Sequence, residues 1–356
     1  MRLSGDSQGL IPVHSSDINA DLAFYRRLGF TVSEVFPADA PSRAVIRGLG
    51  LTLALDPGAV PLPCLRIPAP FAATESPLVS PGGTRVEFVH RSSRPIPPRL
   101  QSSLVVSRRP DVDGTHAGRA GMKYHDLVPG RQGDCVIASL ISIPVAGTVD
   151  DWVHFHEIDF QLIFVKSGWV TVVYEGQGPE FTMVAGDCVI QPPGIRHRVL
   201  ANSDHMEVIE VGYPAEHLTR SDPATGLPGT LQPTRTWRGQ HFIRHQRSSA
   251  VWQIVDGDGS PSRADTGVSH ATNSLASVDI TRSDSDATWM IEPVENGVFT
   301  LLVALDGAVS VTIGTDHFDL REGDSVVVPV GESCSVRHLG RAEVLRVLVD
   351  TVHNGY

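Results

Sequence analysis

Residues 152–161 read W-V-H-F-H-E-I-D-F-Q, and residues 186–197 read G-D-C-V-I-Q-P-P-G-I-R-H. Side chains alternate faces along a strand, so His154 and His156, two apart, project to the same side. A third imidazole, His197, follows the Pro192-Pro193-Gly194 turn where another strand begins. Gln161 brings a neutral oxygen to the head of a further strand. Imidazoles gathered on one face suit a divalent metal. Ile163 and Val199 share the inward parity of Gln161 and His197 and are the expected apolar pocket walls; Trp152 shares that of His154 and is either a further wall or plain core. Glu157 and Asp159 have the opposite parity and should meet solvent. Arg196 and Arg198 flank His197 on the outward side.

Around this stretch the chain repeats itself. Residues 161–200 and 300–338 share one plan: a strand, a Gly turn, a hairpin, then G-D-x-V-x-x-P-x-G and another strand. An internal duplication of a small all-β unit accounts for both. In the second copy, counting back from Gly307 puts Thr300 in the place of Gln161, and Pro293 and Glu295 in the places of the two histidines. Counting on from Gly323 gives Pro329, Gly331 and Cys334 for the turn and the third histidine. The second copy therefore lacks the imidazoles, and a structural role is expected of it.

The two segments together resemble the cupin superfamily. The first motif is carried by His154, His156, Gln161 and Gly168, and the second by Gly186, Pro192, Gly194, His197 and Asn202. Gly147 and Asn202 each depart from the usual spacing by one residue. The resemblance implies a mainly β chain with two tandem double-stranded β-helix barrels. In the first, His154, His156, Gln161 and His197 would hold a metal. It points first to Fe(II), with Mn, Ni or Zn as other divalent ions. Gln161 stands where the family usually has glutamate, and this neutral set resembles the three-histidine sites of gentisate- and salicylate-type ring-cleaving dioxygenases. An ion held only by neutral donors keeps its full charge, which an anionic substrate would balance.

Upstream, residues 17–28 place Ile18, Leu22, Tyr25 and Leu28 on one helical face, with Asp17 or Asn19 as cap and Gly29 at the end. Strand-like pieces at 10–14, 30–36, 42–48, 51–55 and 84–90 complete a βαβββ order. With FYRRLGF at 24–30, this part resembles half of a vicinal-oxygen-chelate (glyoxalase-like) domain. The family's ligands would fall at His14 and Glu87. One such module cannot close a site, so it either pairs with another copy or serves as a cap. The expected organisation is 1–91 for this module, 92–121 for a Pro/Arg/Ser-rich linker or arm, 122–213 for the metal-binding barrel, 214–236 for a connector and 237–356 for the ligand-free barrel.

Composition narrows the classes. Of 356 residues, 29 are basic and 40 acidic, a net charge of -11 that disfavours a duplex nucleic-acid or anionic-membrane binder. Hydrophobic residues make up 41 %, enough for packed cores. Cys64, Cys135, Cys188 and Cys334 are far apart and form no thiolate zinc pattern. Neither a signal peptide nor a membrane-length apolar run is visible, so a cytoplasmic location and a homodimer, held by open strand edges, are expected. The function these features imply is a metal-dependent enzyme, an Fe(II) dioxygenase acting on a small anionic organic molecule. The alternatives are an isomerase or lyase using the metal as a Lewis acid, and a non-catalytic metabolite-binding protein.

Overall fold

The structure is a computed structural model that describes residues 9–37, 41–69, 78–90, 97–109, 116–117, 122–255, 257 and 259–351. Strands dominate, and the chain divides into two compact units, 1–94 and 95–356. No helix among the described residues is long and apolar enough to cross a membrane.

In the first unit the expected helix forms at Ile18–Arg27, where the Asp17 side chain accepts from the Ala20 amide at 3.0 Å. Gly29 (φ +96°) turns the chain out of it. Four strands follow the βαβββ order and assemble as Ile11–His14, Leu51–Asp56, Arg43–Gly48 and Thr31–Phe36, the first pair parallel. The strand expected to close this sheet, Arg85–His90, instead lies in a separate three-stranded sheet. There it pairs with Leu65–Ala69, which Pro68 interrupts, and with the two-residue Leu78–Val79, neither of which was expected from the sequence. His14 and Glu87 thus sit in different sheets. His14 Nδ1 lies 3.1 Å from the Ala59 carbonyl oxygen, and Glu87 is ion-paired with Arg66 and Arg85.

The second unit contains two halves built alike. In each, a seven-stranded sheet faces a smaller one. The first half orders Ile243–His245, Cys188–Ile190, Phe160–Ser167, Met206–Tyr213, Ile137–Ile143, Lys123–Asp126 and His116–Ala117 in one sheet. The other sheet orders Phe181–Val184, Trp169–Tyr174, His197–Asn202, His154–His156 and Thr219–Ser221. The second half sets Trp252–Ile254, Ser262–Asp265, Ala276–Asp284, Arg341–Asp350, Val298–Asp306, Ser325–Val328 and Val105–Ser107 against Ala287–Ile291, Cys334–His338, Ala308–Ile313 and Asp316–Arg321.

The edge strands are exchanged. Val105–Ser107 precedes the first half yet pairs with Ser325–Val328 of the second, while Ile243–His245 precedes the second half and pairs with Cys188–Ile190 of the first. Each exchanged strand covers an edge that would otherwise expose unpaired backbone groups. An arginine follows at the same place in both. The Arg109 amide donates to Asp324 and its guanidinium reaches Glu207. The Arg247 amide donates to Asp187 and its guanidinium grips Glu343 with both nitrogens. Both arginines lie over a glycine, since a Cβ on Gly186 would come 2.4 Å from Arg247 and one on Gly323 2.6 Å from Arg109.

Strand parity explains how the halves join. Phe160, Leu162 and Phe164 point to one face of their sheet, and Phe299, Leu301, Val303 and Leu305 to the corresponding face of the other. These residues share one buried apolar cluster between the two large sheets. Gln161, Ile163 and Val165 then face the interior of the first half, while Leu302 and Ala304 face that of the second. Burial on both faces is why these strands read as near-continuous apolar runs.

Candidate metal centre

His154 and His197 are direct cross-strand partners in an antiparallel pair, which sets their side chains on the same face about 5 Å apart at Cβ. His156 follows two residues on. The candidate ligand atoms of His154, His156 and His197 all lie within 4.8 Å of one another. Donors around one ion bound at about 2.1 Å stand about 3–4 Å apart, so small torsional adjustments bring the three onto a single ion. Among the described residues no other group of three His, Cys, Asp or Glu side chains is gathered in this way.

The nitrogens are oriented from behind. His154 Nδ1 donates to the Trp152 carbonyl at 2.8 Å, and His197 Nδ1 to the Ile195 carbonyl at 3.1 Å. A carbonyl can only accept, so both rings are held as the tautomer with its lone pair on Nε2, the form a metal requires. His156 Nδ1 lies 2.8 Å from Thr219 Oγ1. Thr219 belongs to the Pro/Thr-rich stretch expected to be a mere connector. Its strand, Thr219–Ser221, pairs with His154–His156, so these three residues lie beside the site.

Gln161 sits on the inner face, 1 % exposed. Its Nε2 donates to Glu210 Oε1 at 2.6 Å, and its Oε1 is buried with no hydrogen-bond partner. Ile163 and Val199 pack at the margin of the interior apolar cluster. Trp152 is 45 % exposed, its ring centroid 6.3 Å from that of His154, so it stands beside the histidines at the surface. Glu157 is ion-paired with Arg220, and Arg196 with Asp222 and Glu175. The two positions of irregular spacing, Gly147 and Asn202, pair with each other.

Four further groups complete the interior. Tyr174 is the other cross-strand neighbour of His197 and stacks on it at 5.5 Å. Burial pushes its phenol well above the usual range, so it stays protonated. Gln191 Nε2 donates to the Tyr174 hydroxyl at 2.7 Å, while Gln191 Oε1 is buried without a partner. Glu210 shares inward parity with Val208 of the interior cluster. His217 lies at the rim, its ring 5.4 Å from that of His156. Gly212 is closely packed, since a Cβ there would come 3.0 Å from Ile158 and 3.2 Å from Ile137. Glu210 was legible as a carboxylate in register with inward residues of E-V-I-E-V-G-Y. His217 and Thr219 carried no local signal.

The second half corrects the sequence alignment. Cys334 pairs with Ile291 on one side and Ile313 on the other, as His197 pairs with His154 and Tyr174. Ile291 therefore occupies the place of His154, and Pro293 that of His156. The assignment of Pro293 and Glu295 to those places is two residues out of register. Thr300 does match Gln161, and both are buried.

Two domain families match the chain. Residues 141–212 match the cupin domain, and residues 243–354 match the AraC-binding-like domain. No curated protein matches the chain significantly. Among solved structures, salicylate 1,2-dioxygenase from Pseudaminobacter salicylatoxidans superposes with a TM-score of 0.52 at 16 % identity, over 72 % of this chain and 87 % of that one. The same enzyme with gentisate gives 0.51 at 16 % identity, over 72 % and 84 %. Residues 141–212 thus match a cupin domain, and the mainly β fold is of the cupin type. At such identity the likeness to the dioxygenase is one of architecture.

Proposed function

We propose that this protein is a metal-dependent cupin enzyme, an Fe(II) dioxygenase acting on a small anionic organic substrate. The single observation that supports this best is the convergence of three imidazoles, two of them fixed as Nε2 donors, inside a barrel. The donor set fits a divalent ion: the nitrogens are neutral and oriented, and Gln161 Oε1 is a buried oxygen in need of a partner. A bound Fe(II) would supply Lewis acidity and redox chemistry toward O₂. His154, His156 and His197 would hold it, with Gln161 as a fourth donor. In the same view the chain is a bicupin, with 237–356 as the ligand-free barrel and 1–91 as a glyoxalase-like module.

The chain's own groups define what the pocket does. Ile163 and Val199 present apolar surface that excludes water beside the imidazoles. Tyr174 keeps its proton and, with Gln191 donating to its oxygen, can offer that proton to an oxygen of the substrate. Gln191 Oε1 can accept from a substrate hydroxyl. His217 at the rim meets whatever enters. The neutral donors leave the ion's charge for an anionic substrate to balance.

Elemental analysis of the purified protein, followed by oxygen uptake across a panel of hydroxylated aromatic acids, tests this. One iron per chain and substrate-dependent oxygen uptake are expected. Bound metal with turnover but no oxygen uptake would move the assignment to an isomerase or lyase. Metal-free protein with full activity would overturn it.

A further inference from the structure

A carboxylate absent from the expected ligand set is present one step behind it. Gln161 stands where the resembling family usually carries glutamate, and Glu210 stands beside it across the sheet. Gly212 is the direct cross-strand partner of Gln161 and Ile163 that of Glu210, so Gln161 and Glu210 are diagonal neighbours on the inner face. The contact between them is short, 2.6 Å from Gln161 Nε2 to Glu210 Oε1.

An amide has a donor end and an acceptor end, and the two are easily exchanged by rotation. Here the amide nitrogen donates and the carboxyl oxygen accepts. With Glu210 as its neighbour, Gln161 thus turns Nε2 toward Glu210, which leaves Oε1 on the far side. That oxygen is buried inside the barrel with no protein partner. A buried carbonyl oxygen left in this state carries an uncompensated desolvation cost unless something binds it.

We propose that Glu210 is a positioning residue for the metal centre: it locks the Gln161 amide so that Oε1 is presented to the ion held by His154, His156 and His197. The pair replaces a ligating carboxylate with an amide oxygen whose carboxyl partner stands one hydrogen bond away. Outer partners of this kind typically change metal affinity 10- to 100-fold when removed. This rests on the metal reading of the site and adds to it a named residue outside the ligand motif.

Co²⁺ binding to the full-length protein, followed by calorimetry and by its visible absorption spectrum, separates the two claims. Glu210→Leu removes the lock and should weaken Co²⁺ at least 10-fold, with an altered spectrum. Glu210→Gln, nearly isosteric, should fall between Glu210→Leu and the parent, because two facing amides can pair in either orientation. The exchange Gln161→Glu with Glu210→Gln rebuilds the hydrogen bond with its donor reversed. It should restore affinity to within about 3-fold of the parent or better, though Gln161→Glu alone sets two carboxylates against each other and should not. Unfolding of the metal-free variants shows that each is folded. If the parent binds Co²⁺ and Glu210→Leu binds equally with the same spectrum, the role of Glu210 is overturned while the metal site stands. If the exchange fails to recover what Gln161→Glu loses, the pairing is overturned. If the folded parent binds no Co²⁺, the metal reading falls, and this inference with it.

Discussion

The two halves of the 95–356 unit follow one strand plan and have opposite interiors. Along the row that crosses the smaller sheet, the first has His154, His197 and Tyr174, and the second has Ile291, Cys334 and Ile313. Two residues upstream in each stands a tryptophan. Trp152 is 45 % exposed, whereas Trp289 is 1 % exposed and packs with Ile291, Leu302, Val311 and Val336 in the second interior. A large ring turned inward fills the second interior, beside the Arg346 guanidinium that is paired with Asp279. The same residue type turned outward leaves room for imidazoles, an amide and a carboxylate. The strand scaffold is thus indifferent to chemistry, and a handful of inward positions decides whether a barrel is a site or a support.

The sharpest way to break this comparison is to delete one side chain from each row. His154→Ala should reduce bound metal, measured by elemental analysis, from one ion per chain to background. Cys334→Ala should leave metal content unchanged. The Cys334 thiol is buried and its pKa is pushed up to about 12, so it stays protonated and makes a poor ligand. Equal metal loss in both variants would place a second site in the supposedly inert half.

The tryptophans give the next largest contrast. Trp289→Ala should cost about 3–5 kcal/mol of stability, as deletion of a large buried ring does. Trp152→Ala, at a surface position, should stay within about 1 kcal/mol. Urea unfolding at fixed metal content measures both. A small effect at Trp289 would mean that the second interior is less tightly filled than its packing indicates.

How far the sequence foretold this follows from which contacts are local. Gln161 and Thr300 match because each is followed at fixed distance by the same Gly turn and hairpin. His197 and Cys334 match because each follows a G-D turn by a fixed count. The upstream pair failed for a countable reason: Gln161 lies seven residues after His154, whereas Thr300 lies nine after Ile291, the loop at 292–297 being longer. Thr219 and His217 were illegible because their partner, His156, is about sixty residues away and their own segment has no periodicity. The exchanged strands Val105–Ser107 and Ile243–His245 are three residues each, too short for alternation to show.

Acid should expose another difference. Burial lowers the pKa of His338 in the second half, and also those of His125 and His245, so each is held neutral when folded. A histidine with a depressed folded pKa binds its proton more readily in the unfolded chain. Stability is then full above the unfolded value near 6.5 and declines as pH falls below it, by at most about 1.4 kcal/mol per pH unit for each group. Comparing unfolding at pH 7.5 and 5.5, His338→Leu should lose less stability on acidification than the parent. An unchanged loss would remove His338 from the account.

The smallest expected effects lie where the halves grip each other. Arg109 on Glu207 and Arg247 on Glu343 occupy equivalent positions, but their surroundings differ. Glu207 also receives Lys166 Nζ at 3.0 Å and Ser142 Oγ at 3.1 Å, and these cations and hydrogen bonds outweigh burial to hold its carboxyl below the usual range. Removing Arg109 therefore leaves Glu207 still compensated. Glu343 takes both of its hydrogen bonds from Arg247, whose guanidinium also lies 5.7 Å from the Trp252 ring. Both arginines are partly solvated, which keeps either effect modest. Arg247→Ala should cost about 1–2 kcal/mol and Arg109→Ala less than about 1, with the two adding because they share no partner. The order carries the meaning: two equivalent latches differ because the buried carboxylate beneath one of them has a second cation and the other has none to spare. A reversed order in urea unfolding would show that Lys166, and not Arg109, is the weaker partner of Glu207.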